Sequence, residues 1–176
     1  WAPLSDGTVE ITSYNGSDAV ITIPSAIGGK TVSRIGEEAF MGCGDLTGVM
    51  IPDSVVRIGA HAFNDCASLS EIEIPSSVTE IGTGVFAGCA ALAQIRAADG
   101  NTAYRTENGL LYSKDLTTLL ACPNAKTGTV QIPEGVAQIC PEAFRGCGAL
   151  TGAALPDSVA VIGESAFEDC TSLTGI

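Results

Sequence analysis

Seven cysteines, one histidine and a set of carboxylates placed just after prolines are the residues of this chain best suited to chemistry. Cys43, Cys66 and Cys89 step by 23 residues, and so do Cys147 and Cys170. Structural metal sites favour closely spaced cysteine pairs, and the chain has no C-x-x-C. An odd number of thiols cannot close a complete disulfide framework. Side chains stacked at one repeat position also carry parallel Cβ vectors, which disfavours bridging. The five periodic cysteines are therefore expected to form a reduced, buried column that behaves as small hydrophobes. Cys122 and Cys140 lie outside it, and a disulfide between them stays open.

His61 stands alone. With no second histidine and no nucleophile–base pair in the sequence pattern, a catalytic triad or a zinc site has no parts. A surface histidine is expected, and no metal or cofactor. Asp53, Glu134 and Asp157 each follow a proline. Two opposed acids are the machinery of glycoside hydrolysis, but recurrence at one repeat position points to turn capping. Asn15-Gly16-Ser17 fits the glycosylation pattern and reads more simply as a turn.

The elements that carry these residues follow from self-similarity. Residues 51–69 read IPDSVVRIGAHAFNDCASL, 74–92 IPSSVTEIGTGVFAGCAAL, 132–150 IPEGVAQICPEAFRGCGAL and 155–173 LPDSVAVIGESAFEDCTSL. Residues 23–46 repeat the pattern with an insertion at Gly28-Gly29-Lys30. The spacing Leu46-x-x-Val49-x-Ile51 ends in period-two alternation, which predicts a strand with one buried face. Pro52 cannot donate to a ladder and ends it. Val55-x-x-Ile58 gives a second inward segment, Gly59 a bend, and Ala62-Phe63 to Cys66 a helical turn. One such coil cannot bury its own faces, so the coils must stack.

The fold class is thus a repeat solenoid: a right-handed leucine-rich-repeat coil with one short parallel strand per repeat and short helical turns opposite. Strands are expected at 20–23, 47–51, 70–74, 129–132 and 151–155, with Leu46, Leu69, Leu92 and Leu150 in one buried row. The whole chain, 1–176, reads as one domain. Residues 1–22 form an N-terminal β-hairpin cap, pairing the strands around Val9 and Val20. Residues 23–92 hold three repeats, 93–131 an irregular unit with a β-hairpin around Ser113-Lys114-Asp115, and 132–176 two more repeats.

A net charge of −12 repels phosphate backbones and anionic lipid, which argues against nucleic acid. No apolar run approaches the roughly 20 residues of a membrane span, so no membrane insertion is expected. The chain opens on Trp1 and stops within a repeat, which reads as a processed piece of a longer protein whose last coil is open to self-association.

The phrase IPxSVxxIGxxAFxxCxxL resembles the BspA-like leucine-rich repeat family, and five in-register matches carry the resemblance across essentially the whole chain. The irregular unit, with Asn101-x-x-Tyr104, Gly109-Leu110-Leu111-Tyr112 and Lys114-Asp115-x-Thr117, resembles an interruption recurring in that family. So does the opening of the array at Asp6-Gly7-Thr8-Val9. The chain departs from the pattern at Cys140-Pro141, where other repeats carry glycine. The resemblance implies a bacterial surface or secreted protein in adhesion, with a host extracellular matrix or cell-surface protein such as fibronectin or fibrinogen, or another cell, as partner. It supplies no catalytic motif.

Three function classes follow. A non-catalytic recognition domain is favoured, a structural spacer is the alternative, and a polysaccharide-active β-helix enzyme is the least supported. The outward strand positions, Gly48, Met50, Glu71, Glu73, Gln94, Thr129, Gln131, Gly152 and Ala154, carry two acids and no base, so they form no catalytic cluster. Met50, Glu71, Glu73, Gln94 and Gln131 on that face are the expected partner-binding residues. Tyr104 and Tyr112 in the irregular unit either join them as amphipathic contact residues or pack on the neighbouring coil.

Overall fold

The computed structural model describes residues 1–176, built from strands and turns with no helix. In chain order the first strands are β1 (Ala2–Pro3), β2 (Val9–Ile11), β3 (Val20–Thr22), β4 (Ala26–Ile27), β5 (Lys30–Ile35) and β6 (Gly48–Met50). Then come β7 (Arg57–Ile58), β8 (Glu71–Ile74), β9 (Glu80–Ile81) and β10 (Gln94–Ala97). The irregular unit holds β11 (Tyr104–Glu107), β12 (Leu110–Ser113) and β13 (Thr118–Ala121). The chain ends with β14 (Gly128–Gln131), β15 (Gln138–Ile139), β16 (Leu150–Ala154) and β17 (Val161–Ile162).

The period-two segments form one side of the solenoid, in the parallel pairs β3–β6, β8–β10 and β14–β16. Leu46, Leu69, Leu92 and Leu150 are all buried at their base. Each regular coil has a second strand, where one was expected. The Val-x-x-Ile segment pairs with its neighbours one period away, Arg57 opposite Glu80 and Ile58 opposite Ile81. Only two residues per coil take part, too short a run for alternation to announce a strand.

The third side differs from the expected helical turn. Glu38 and Gly42 both have positive φ, and the same two positions are left-handed in every later repeat: His61 and Asp65, Gly84 and Gly88, Glu142 and Gly146, Ser165 and Asp169. A left-handed residue every fourth position cannot propagate a right-handed helix. The backbone pairs sideways instead. The N–H groups of Glu38, Phe40 and Gly42 donate to the carbonyls of Ala60, Ala62 and Asn64 in the next coil at 3.0, 2.8 and 2.8 Å. This third ladder meets the buried backbone's need for partners and ties coil to coil.

Side chains stack in the same columns. Phe40 and Phe63 lie 5.1 Å apart, Phe63 and Phe86 6.0 Å, and Phe144 and Phe167 4.7 Å. The thiols of Cys66, Cys89 and Cys170 donate to the carbonyls of Phe40, Phe63 and Phe144 at 3.1, 3.0 and 3.1 Å. All seven cysteines are free thiols, Cys122 and Cys140 included. Cys66, Cys89 and Cys147 are buried, whereas Cys43 and Cys170, near the two ends of the stack, are half-buried. Hydrogen bonding with the adjacent Cys66 thiol, then burial, pushes the Cys89 thiol up, and burial with the neighbouring Cys147 raises Cys170 to about 11. These are protonated, poorly nucleophilic sulfurs.

Turn capping by the post-proline carboxylates is not seen. Asp53, Glu134 and Asp157 are exposed. The serine one residue later takes the structural role, Ser77 Oγ donating to Val55 O at 2.7 Å and Ser158 Oγ to Val136 O at 2.8 Å in the preceding coil.

The N-terminal hairpin is also corrected. β2 and β3 belong to different sides, β2 pairing in parallel with β5 and β3 with β6. The segment is a first coil of the stack, because parallel pairing with the following coil satisfies both strands at once. β1 lies antiparallel on the outer edge of β2. The insertion in the first repeat makes a hairpin, β4–β5, turning through Gly28 and Gly29, both with positive φ.

The irregular unit contains the expected hairpin, β12–β13, extended by β11 into an antiparallel meander. β13 then rejoins the stack by pairing in parallel with β15. The meander divides the interior. Leu111 and Ala121 face a core of 25 buried residues towards the N-terminus, while Leu110, Tyr112, Leu119 and Cys122 face one of 14 towards the C-terminus. Tyr112 is fully buried and its hydroxyl has no partner. A buried unpaired hydroxyl costs roughly 1–3 kcal/mol. Tyr112→Phe is therefore expected to raise stability by about 1 kcal/mol in urea denaturation, and a loss of stability would show that the hydroxyl is hydrated.

Candidate recognition face

The outward positions of the first side build the candidate site. β6, β8 and β10 turn their buried residues, Val49, Ile72, Ile74 and Ile95, inward. Period two then sends Met50, Glu71, Glu73, Gln94 and Arg96 outward, all exposed. Met50 is 56% exposed, unusual for a thioether side chain.

The ladder is interrupted here. Ser70 N still donates to Thr47 O at 3.2 Å, but β6 pairs only with β3, and β8 only with β10. β6 and β8, not paired with each other, border a hollow of about 420 Å³, lined among others by Val20, Met50, Glu71, Glu73 and Arg96. It continues past Val49, Met50 and Glu73 into a second hollow of about 410 Å³, floored by Pro52, Pro75 and Ala98 and edged by Asp53. The Arg96 guanidinium lies 3.6 Å from Glu71 and donates to Gln94 Oε1 at 2.7 Å. The face thus offers an apolar floor, a thioether, two carboxylates and one guanidinium.

Four of the expected contact residues, Met50, Glu71, Glu73 and Gln94, meet on this face. Gln131 is exposed but lies on β14, in a separate two-stranded ladder beyond the irregular unit. Arg96 corrects the expectation of a face without a base; it sits two residues past Gln94, where the alternation itself points.

Of the two readings of Tyr104 and Tyr112, packing within the stack is the one seen. Tyr104 is 8% exposed, its hydroxyl donating to Thr79 O at 3.2 Å, and Tyr112 is 0% exposed. The irregular unit is a layer of the stack, so its tyrosines fill the core. Burial raises both phenols above their usual range.

His61 is half-buried, with Nε2 2.9 Å from Glu142 Oε1, and one ligand atom from each of Glu37, Glu38 and His61 lies within 4.8 Å of the others. A third hollow, about 400 Å³, opens at the N-terminal end between Trp1, Tyr14, Asp18 and Phe40.

The same repeat unit that builds this face matches a known family model. The BspA type leucine rich repeat region matches residues 14–127 and 121–176, in 6 copies. The chain belongs to the BspA type leucine-rich repeat family.

No curated protein matches the sequence. Solved structures with the same fold do. A leucine-rich cell surface protein of Faecalibacterium prausnitzii superposes with a TM-score of 0.68 at 25% identity, over 99% of this chain and 73% of its own. A T. pallidum leucine-rich repeat protein gives 0.62 at 25% identity, over 98% of this chain and 86% of its own. The pneumococcal vaccine antigen PcpA gives 0.64 at 18% identity, over 97% of this chain and 63% of its own, and shows the fold alone. No helix of this BspA type chain is long and apolar enough to cross a membrane.

Proposed function

We propose that this BspA type domain is a non-catalytic recognition module of a bacterial surface or secreted protein, and that its outward strand face binds a protein partner. The observation that carries the reading is the β6–β8 face, where an exposed Met50 sits between two adjoining hollows rimmed by Glu71, Glu73 and Asp53. Apolar ground ringed by charge is the anatomy of a protein interface. An extended, shallow surface suits a macromolecule better than a small ligand. The acid excess of the rim and of the chain favours a basic partner surface and faster encounter at low salt. Membership of the family and likeness to a cell surface protein support the bacterial surface setting.

The test is binding of the purified domain to host extracellular proteins, fibronectin and fibrinogen first, followed by variants of the face. Met50→Asp and the pair Glu71→Lys with Glu73→Lys are each expected to weaken binding at least tenfold, roughly 1.4 kcal/mol, without loss of folding. Unchanged affinity in both would remove this face from the site.

A further inference from the structure

The left-handed position before each Ala-Phe or Val-Phe forms a column along the turn side: Glu38, His61, Gly84, Glu142 and Ser165, each with positive φ. His61 reaches Glu142 across the whole coil that carries Gly84, Nε2 to Oε1 at 2.9 Å. Gly84 makes the contact possible, because a Cβ there would lie 2.5 Å from His61 Cδ2 and 2.6 Å from Nε2. The Cδ2–Nε2 edge of the imidazole therefore faces Gly84 and the C-terminal coils. Nδ1 is the ring atom opposite that edge, and the coil preceding His61 in the stack carries Glu37 and Glu38. Both glutamates are exposed, and one ligand atom from each lies within 4.8 Å of the other and of a ring nitrogen. Closing that spacing to metal-bond geometry needs only rotation of two solvated side chains.

We propose that Glu37, Glu38 and His61 form a binding site for a divalent transition-metal ion of the zinc class, with Glu142 as a positioning residue. A neutral imidazole carries one N–H and one lone pair, and the partner of the first fixes the direction of the second. Glu142 takes the Nε2–H, which leaves the Nδ1 lone pair for the ion, the carboxylate–histidine–metal arrangement. Glu142 is itself held by Arg145, whose Nη1 donates to Oε2 at 2.9 Å, and Arg145 Nε lies 3.4 Å from Glu168. With His61 on one carboxylate oxygen and Arg145 on the other, Glu142 is fixed in place as an acceptor. One nitrogen and two carboxylates suit zinc, whereas calcium and magnesium prefer all-oxygen sets. Three protein ligands leave a tetrahedral position for water. Spacing in the sequence hides the site, because its parts come from different coils and the single histidine has no histidine or cysteine partner.

The test uses the purified domain under reducing conditions, titrated with zinc chloride. Calorimetry reads the affinity, and nitrogen-15 NMR reads the imidazole. One histidine gives one set of ring signals, so the shift is unambiguous. Saturable binding of one equivalent is expected to move the Nδ1 signal. His61→Gln, and Glu37→Gln with Glu38→Gln, are each expected to weaken binding by roughly a hundredfold or more. Glu142→Gln is expected to cost about 10–100-fold and to shift the tautomer balance of the metal-free ring, which a merely structural role would not do. Zinc affinity that persists in His61→Gln would assign the binding to thiols and overturn the proposal. An imidazole that does not respond to millimolar zinc in the wild-type protein would overturn it too, whether or not any variant folds.

Discussion

Asn101→Ala is expected to lower the stability of the domain by about 4 kcal/mol, enough to unfold a marginal protein. Asn101 is 1% exposed and fully used. Its Nδ2 donates to Pro75 O at 2.7 Å and to Val78 O at 3.1 Å, both in the preceding coil. Its Oδ1 accepts from Ala103 N at 2.9 Å and Tyr104 N at 2.7 Å, at the start of the irregular unit. One side chain thus closes the turn of one coil and starts the next layer. Alanine leaves Val78 O and the amides of Ala103 and Tyr104 without partners, while Pro75 O keeps its bond from Val78 N at 3.2 Å, and each buried orphan costs roughly 1–3 kcal/mol, reduced by whatever water enters. Urea denaturation followed by circular dichroism measures the loss. Asn101→Asp separates the two halves of the role, since a carboxylate still accepts from both amides but cannot donate to the two carbonyls. Asn124 is the contrast. Its Nδ2 donates to Arg145 O at 2.6 Å, but its Oδ1 has no partner. A loss below about 1 kcal/mol in Asn101→Ala would show that the junction hydrates freely, and would leave the tie between coil and meander to apolar packing.

Asn101 belongs to the irregular unit, where the sequence was hardest to read. In the regular coils the 23-residue register and the alternation at Leu46-x-x-Val49-x-Ile51 fix the strands and the buried leucine row, since a strand with one wet face must alternate. The turn side escapes this logic. Its ladder depends on two left-handed positions per coil; the first is Glu38, His61, Glu142 or Ser165 in four coils and only Gly84 marks it in composition, although Gly42, Gly88 and Gly146 mark the second. The irregular unit leaves its tyrosines open between partner contact and packing. A tyrosine in an exposed loop is a contact residue, but Gly109-Leu110-Leu111-Tyr112 is an unbroken apolar run. Such a run marks a strand buried on both faces, which is what β12 is. On the candidate face the outward residues follow from period two, Arg96 included. The interruption between β6 and β8 that opens the hollows has no signature in the residues, because both strands alternate normally. The His61–Glu142 contact spans 81 residues and depends on a glycine between its partners, a relation that only the folded stack displays.

Gly82→Ala is expected to be nearly as damaging as the loss of Asn101, about 3 kcal/mol, for a reason that has nothing to do with backbone dihedrals. Gly36, Gly59, Gly82 and Gly163 follow the isoleucine that ends the second strand of their coils, and none has positive φ. What they lack is space. A Cβ on Gly82 would lie 2.3 Å from Ala60 N and 2.5 Å from Ala60 Cα, and on Gly163 2.3 Å from Pro141 N. The preceding coil bends at this point and drives its backbone under the glycine, so relief requires moving one coil against the next. Overpacking of this kind typically costs about 1–3 kcal/mol. Gly82 lies at the high end because coils on both sides hold it. Its own amide donates to Ile58 O at 2.9 Å, so a shift also strains the ladder. Cys140 shows the rule through its exception. It occupies the same position and donates the same bond, to Leu119 O at 2.9 Å, yet carries a side chain. The layer before it is β13, which runs on extended to Ala121 instead of bending after Leu119, and so leaves room for a Cβ. Cys140→Gly is accordingly expected to cost no more than about 1 kcal/mol, through lost packing. Gly163→Ala should fall between the two, because the terminal coil has nothing behind it and can yield. Urea midpoints of the three variants in one series measure the order. Equal losses at Gly82 and Gly163 would mean that the spacing between coils is set by side-chain packing and not by this close approach of two backbones.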